Sequence, residues 1–260
     1  MNVLQNLMEL YNQLPADSTY RVVAKGILEN LSAAAEGTIY DVAELTDSSR
    51  TTVWRMVQKM GYKNYSDFRY ALKAAVSQYT YYNRVLSGRL DIDGIMAECG
   101  VQLKAAWKLV EKNFSREQAI GLAQRIHSRK KIRFYFYARY YSIYSFQQNL
   151  AMDGKDTAYY LLLPEMLSDA KSLGEDSIVF INSIEFSETM DLSPVFEILR
   201  RQKCHIVLAN CGKSRYEGQA DEILFRAADF SDAMGIASNT VFETFFVMIS
   251  EIYRRLYLNG

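Results

Sequence analysis

Along this chain the hydrophobic rhythm changes from one period to another. From Val3 to Val76 apolar residues recur at helical spacing, in four stripes: Val3-Leu4-Leu7-Met8-Tyr11, Val22-Val23-Ile27-Leu31, Ile39-Val42-Ala43-Leu45 and Val53-Met56-Val57-Met60. A single proline, Pro15, interrupts them, just ahead of a helix start at Asp17-Ser18. Short helices on short connections predict a compact all-α bundle. Further on, helical stretches over 95–112 and 115–127 are followed by apolar runs of strand length at 132–137, 157–163, 177–183, 205–211 and 222–227. These runs are continuous rather than alternating, which is the pattern of strands covered on both faces, and helical segments separate them. They predict an α/β domain with a doubly wound, mostly parallel sheet. A last helix over 237–258, with Val241, Phe245, Met248, Ile249 and Ile252 on one side, closes it.

The rhythm weakens in YTYYNRVLSGRLDID, where Ser87-Gly88 is a turn signal, so the expected organisation is a bundle over 1–77, a linker over 78–93 and the α/β domain over 94–260. With 49% apolar and 23% charged residues the chain can bury real cores and does not read as disordered. Formal charge sums to zero, so any affinity for nucleic acid must come from local clusters of Lys and Arg. Cys99, Cys204 and Cys211 form no CxxC pair, and their odd number without a signal peptide predicts reduced, structural thiols. No apolar run approaches the ~20 residues of a membrane span, and the start MNVLQNLMELYNQL lacks a basic segment leading into an apolar one. A cytoplasmic protein without a membrane partner is expected. No cluster of His, Cys, Asp and Glu has metal-ligand spacing and no Walker or dinucleotide glycine fingerprint occurs, so neither metal nor cofactor is expected.

The most specific local signal is TIYDVAELTDSSRTTVWRMVQKMGYKNYSDF, residues 38–68. Two helices meeting across a tight turn need a small residue where they touch, apolar seams inside, and a polar first turn on the second helix. Ala43 supplies the small contact, Ile39, Val42, Val53 and Met56 the seams, and Ser48 or Ser49 an N-cap. With Val53 and Met56 inward, Ser49, Arg50, Thr51, Thr52, Trp54 and Arg55 fall along the start of that helix, the part that a recognition helix presents to a major groove. Lys59 and Lys63 continue a basic excess suited to phosphates. The alternative is a bundle that merely carries a solvated basic face, with Trp54 packed under a neighbouring helix.

The segments ILEN, DVAEL, TTVWRM and MGYKNYSDFRYAL, in that order, resemble the N-terminal domain of the RpiR (MurR/RpiR) family of bacterial transcription regulators. Family members usually carry a small-apolar pair in the turn where this chain has Asp47 and Ser48. The alternation from Lys131 onward is similar to the C-terminal SIS (sugar isomerase) domain of that family. The resemblance implies a transcription regulator that binds a double-stranded DNA operator and senses a small-molecule effector, a sugar derivative or another metabolite. Because one short helix reads few bases, a homodimer or higher homo-oligomer is expected.

SIS domains hold phosphate with a Gly-rich turn after the first strand and a Ser/Thr-rich turn after a later one. In register, the first turn is FYARY, residues 136–140, with Ser142 two residues on, and both glycines are gone. The second falls on Asn182-Ser183-Ile184-Glu185-Phe186-Ser187, where Ser183, Ser187 and Thr189 keep hydroxyls and Glu185 brings a carboxylate. Both changes oppose phosphosugar binding. Arg139, Tyr140, Ser142, Asn182, Ser183, Glu185 and Ser187 are the candidate ligand residues. Three readings stay open: a different ligand, a ligand-free dimerisation domain with the Tyr135–Tyr144 stretch as interface, or a cradle rebuilt from other residues. An isomerase-type enzyme would need a positioned base; His127 and His205 are isolated, Glu185 is the only carboxylate in a plausible turn, and no catalytic residue is expected.

Overall fold

The computed structural model describes residues 3–77, 91–136, 138–183, 191–210, 214–225 and 236–258, in two compact units, one built on Met1–Asn83 and the other on most of the chain from Arg84 onward. The expected linker lies for the most part outside the described residues, as do Glu185, Ser187, Thr189 and Cys211.

Among the described residues the first unit has six helices: α1 (Val3–Gln13), α2 (Thr19–Glu29), α3 (Leu31–Glu36), α4 (Ile39–Leu45), α5 (Arg50–Lys59) and α6 (Tyr65–Ser77). Their shared core buries Val3, Leu7, Leu10, Val23, Ile27, Val42, Ala43, Val53, Met56, Val57, Met60, Phe68 and Leu72. Each fully buried aliphatic or aromatic side chain there contributes ~1.5–3 kcal/mol of transfer free energy. The fourth predicted stripe is buried whole, whereas Met8, Val22 and Leu45, predicted inward, are exposed edges of their helices, and Leu10 and Asn6 are buried on α1. Gly26 lets α2 pass close to the end of α4: a Cβ there would stand 2.7 Å from Cγ2 of Thr46.

The second unit carries α7 (Ile92–Asn113), α8 (Arg116–His127), β1 (Lys131–Tyr135), α9 (Tyr141–Met152), β2 (Asp156–Tyr160), α10 (Leu163–Ala170), β3 (Ser177–Ile181), α11 (Ser193–Arg201), β4 (His205–Leu208), β5 (Glu222–Ile223) and α12 (Ile236–Tyr257). Among the described residues all four strand pairings are parallel, in the order β2-β1-β3-β4-β5. The predicted bundle followed by a parallel α/β domain is therefore what the chain forms. α7 begins at Ile92 with Asp91 as its N-cap, accepting from the Gly94 N–H at 2.7 Å, so the expected linker ends inside a helix. The strands are shorter than their apolar runs: residues 161–163 leave β2, with Leu163 opening α10, and β5 has only two paired residues.

Alternation along β1 divides the domain into two faces. Ile132 and Phe134, with Phe136 just past the strand, enter an aromatic core with Ile178, Phe180, Val207, Phe146, Phe245 and Phe246; Phe134 and Phe180 stack at 5.3 Å. On α12, Met248 and Ile252 are half-buried at its edge while Val241, Phe245 and Ile249 are fully inside. The opposite face of β1 carries Arg133 and Tyr135. Asp169 of α10 accepts from Arg133 Nε at 3.1 Å and from the Tyr135 hydroxyl at 2.7 Å. Asp156 takes Nη2 of Arg133 at 2.8 Å, and that hydrogen bond holds its carboxyl below the usual aspartate range.

Candidate functional site

The turn between α4 and α5 is built by backbone chemistry. The Asp47 N–H donates to Glu44 O at 3.1 Å and the Ser48 N–H to Ala43 O at 2.8 Å, the paired bonds of a Schellman motif. That motif needs a left-handed residue between them, and Asp47 supplies it at φ 45°. Aspartate tolerates this region better than most side chains because its short carboxylate bonds locally. The unusual residue in the turn thus keeps the geometry. α5 ends on the same motif, with Gly61 at φ 92°, the Gly61 N–H on Gln58 O and the Tyr62 N–H on Val57 O. Valine at position 47 cannot hold this conformation cheaply. Asp47→Val is expected to cost ~1–2 kcal/mol in thermal unfolding of the first unit, and Asp47→Gly little or nothing; equal melting of the two variants would contradict the motif's role.

Of the two candidate caps, Ser49 serves: its Oγ accepts from the Thr52 N–H at 3.1 Å and lies 2.9 Å from the Thr52 hydroxyl. Ser49 and Thr52 therefore order the first turn of α5. Arg50, Thr51, Arg55 and Lys59 are exposed along the helix, and Lys63 is exposed beyond it. Trp54 is half-buried and packs against the core of the bundle. The arginine at the start of α5 has a partner that sequence reading missed. Tyr40, exposed on α4, lies under the Arg50 guanidinium, 4.5 Å from its ring centroid. α4 itself is fixed by a capping box, Thr38 with Asp41. The surface assembled here is cationic, hydroxyl-bearing and mounted on a short, doubly capped helix, which suits contact with a polyanion.

In the second unit those candidate ligand residues that are described lie at the carboxyl ends of two neighbouring strands, β1 and β3. After β1, Tyr140 is buried against Phe136 and Phe242, at 5.7 and 5.4 Å between ring centroids. Arg139 is exposed, its Nη1 donating to the Tyr144 hydroxyl at 2.5 Å. The Tyr140 N–H donates to the Tyr159 hydroxyl at 3.3 Å, and that hydroxyl donates to Ala138 O. Burial pushes the Tyr159 phenol well above its usual range, so it stays neutral and able to bond both groups. The next two backbone donors, the N–H groups of Tyr141 and Ser142, both meet Glu243 of α12, on Oε1 and Oε2, each at 2.9 Å. Glu243 is a residue that no local motif announced. Ser142 is buried, and its Oγ has no hydrogen-bond partner among the described residues.

After β3, Asn182 and Ser183 are buried and tied to the end of β4: Asn182 Nδ2 donates to Ala209 O at 2.7 Å and the Ser183 N–H to Asn210 Oδ1 at 2.9 Å. Ser183 Oγ lies 2.5 Å from Ser214 Oγ. The two histidines sit elsewhere. His127 ends α8, stacked on Tyr257 at 3.8 Å with Nδ1 3.0 Å from Asp153, and His205 opens β4, 3.5 Å from Glu222. Among the described residues no group of His, Cys, Asp and Glu is arranged to hold a metal ion, and no helix is long and apolar enough to cross a membrane.

Residues 1–79 match the family model described as the helix-turn-helix domain of the rpiR family. Among solved structures, the chain is similar to the Vibrio vulnificus NanR protein complexed with ManNAc-6P, at 22% identity over 99% of this chain and 93% of that one, with a TM-score of 0.46. It is also similar to the sugar isomerase domain of an RpiR transcription factor from Sphaerobacter thermophilus, at 8% identity over 63% and 89%, with a TM-score of 0.47. A Methanococcus jannaschii protein with an inferred function of 3-hexulose-6-phosphate isomerase follows at 17% identity over 64% and 92%, with a TM-score of 0.46. No curated protein matches the sequence.

Proposed function

We propose that this chain, whose residues 1–79 are a helix-turn-helix domain of the rpiR family, is a DNA-binding transcription regulator. The observation that carries the reading is the exposed row Arg50, Thr51, Arg55 and Lys59 on a helix whose start is fixed by Ser49 and whose approach is set by the Asp47 turn. Arg50, Thr51 and Arg55 face base edges in a major groove, Lys59 and Lys63 face phosphates, Ser49 and Thr52 hold the first turn, and Trp54 seats the helix. The α/β domain, taken as 94–260 after a linker at 78–93, dimerises the chain and senses a metabolite in the cytoplasm. Its effector lies at the carboxyl ends of β1 and β3, by Arg139, Tyr140, Ser142, Asn182 and Ser183. The reading includes no catalytic step and no cofactor.

Selection of genomic fragments by the purified chain, followed by footprinting, tests it. The expected result is a protected, roughly two-fold site with half-sites about one helical turn apart or multiples of it. Lys59→Ala and Lys63→Ala are each expected to weaken binding to all sequences alike and to flatten the dependence of log K on log salt by about 0.9. Light scattering is expected to show at least a dimer at micromolar concentration. Equal affinity for every fragment, with no footprint, would overturn the reading.

A further inference from the structure

The first N–H groups of a helix have no acceptor within it and carry the positive end of its dipole, which is why anions are held there. At the start of α9 that place is already taken. Glu243, about a hundred residues away in sequence, lays its two carboxylate oxygens on the consecutive N–H groups of Tyr141 and Ser142, each at 2.9 Å. This is the bidentate grip with which a free oxyanion would be bound. A second observation lies beside it: Ser142, only 2% exposed, has a hydroxyl without a hydrogen-bond partner among the described residues, at the same helix end. Two oxygens serve the two amide donors, and the Ser142 hydroxyl beside them is left without an acceptor.

We propose that the amino end of α9 is a masked oxyanion site, with Glu243 as its resident occupant, and that a phosphate, sulfate or phosphate ester enters only when Glu243 leaves. A tetrahedral anion there accepts from both N–H groups and from Ser142 Oγ together. With Glu243 in place an incoming dianion meets a fixed carboxylate on the same two donors, so like charge and lost donors both oppose it. The chain thereby carries its own competitor for anionic effectors, and ligands of this domain are selected against a terminal phosphate. The inference rests on the reading of the second domain as a sensor.

Inorganic phosphate is titrated into the full-length protein by calorimetry, with wild type, Glu243→Ala and Glu243→Gln compared. Wild type is expected to show no saturable binding at millimolar phosphate. Glu243→Ala is expected to bind it at least about tenfold more tightly, and Ser142→Ala in that background to lose about tenfold again, the worth of one hydrogen bond to a charged group. Amide hydrogen exchange at Tyr141 and Ser142 supplies a second readout that survives poor folding of the alanine variant. In wild type both amides exchange slowly and phosphate changes nothing; in Glu243→Gln they exchange faster and phosphate slows them again. Phosphate binding by wild type as tight as by the variant, or a folded Glu243→Ala protein that takes none, overturns the proposal. Operator affinity is measured on the same samples: its absence would count against the regulator reading and leave the phosphate result standing by itself.

Discussion

The Arg50→Ala, Arg55→Ala double variant is expected to lose between ~30-fold and ~20,000-fold in operator affinity, from ~1–3 kcal/mol for each arginine contact to a base edge. Both side chains are exposed, so their removal leaves the bundle's core untouched and the melting of the first unit within about 0.5 kcal/mol of wild type. Arg50 has more to lose than its charge. Its guanidinium lies over the Tyr40 ring at 4.5 Å, an arrangement that holds a flexible side chain in place before DNA arrives. Arg50→Lys keeps the charge and loses the planar stacking, so it is expected to fall between wild type and Arg50→Ala. Fluorescence anisotropy with operator and scrambled duplexes makes the measurement. A double variant that binds the operator like wild type means that α5 is not the recognition helix.

Asp169→Ala is expected to destabilise the α/β domain by ~3–5 kcal/mol, a large share of the ~5–15 kcal/mol by which domains are stable. The Arg133 side chain is 6% exposed and that of Asp169 8% exposed, so truncation leaves a guanidinium in the interior with Asp156 as its remaining carboxylate. It also removes the acceptor of the buried Tyr135 hydroxyl. Arg133→Met combined with Asp169→Leu takes out both charges and is expected to recover most of the loss, because an apolar pair needs no compensating partner. Urea unfolding of the full chain, read by a probe in the second unit, separates these outcomes; a single variant within 1 kcal/mol of wild type, about a fivefold change in equilibrium, would assign Arg133 to Asp156 alone. Acid acts on the same network. The folded Asp156 carboxyl titrates below its ordinary 3.8, so its contribution is complete above that value and is lost as pH falls through the lower folded one.

Periodicity made the architecture legible because both periods are strongly written. The stripe Val53-Met56-Val57-Met60 is buried whole, and the continuous runs became parallel strands. The misplacements have physical causes. Met8, Val22 and Leu45 fit the inward stripes by being apolar, yet a short helix in a bundle buries only a narrow face and leaves its apolar edges in water. Residues 161–163 read as strand because an apolar run does not say where pairing stops. The site was legible only where its determinants are local. Ser49 and the arginines of α5 follow from helical spacing, but Tyr40 meets Arg50 from another helix and Glu243 meets Tyr141 across the fold. Asp47 stood out as an unusual residue, and only its left-handed φ explains why the turn accepts it.

The order of the sheet has a consequence in time. β1 lies between β2 and β3, although both follow it in the chain, so its edges stay unpaired until residues 156–160 and 177–181 have been made. Contacts of that sequence separation are slow to form, whereas helices of a small bundle find their neighbours quickly. On a ribosome the first unit is therefore expected to reach its folded state while Phe134 and Tyr135 still lack the strands that cover them. The first unit is ready early, and aggregation of nascent chains depends on how long the central strand must wait.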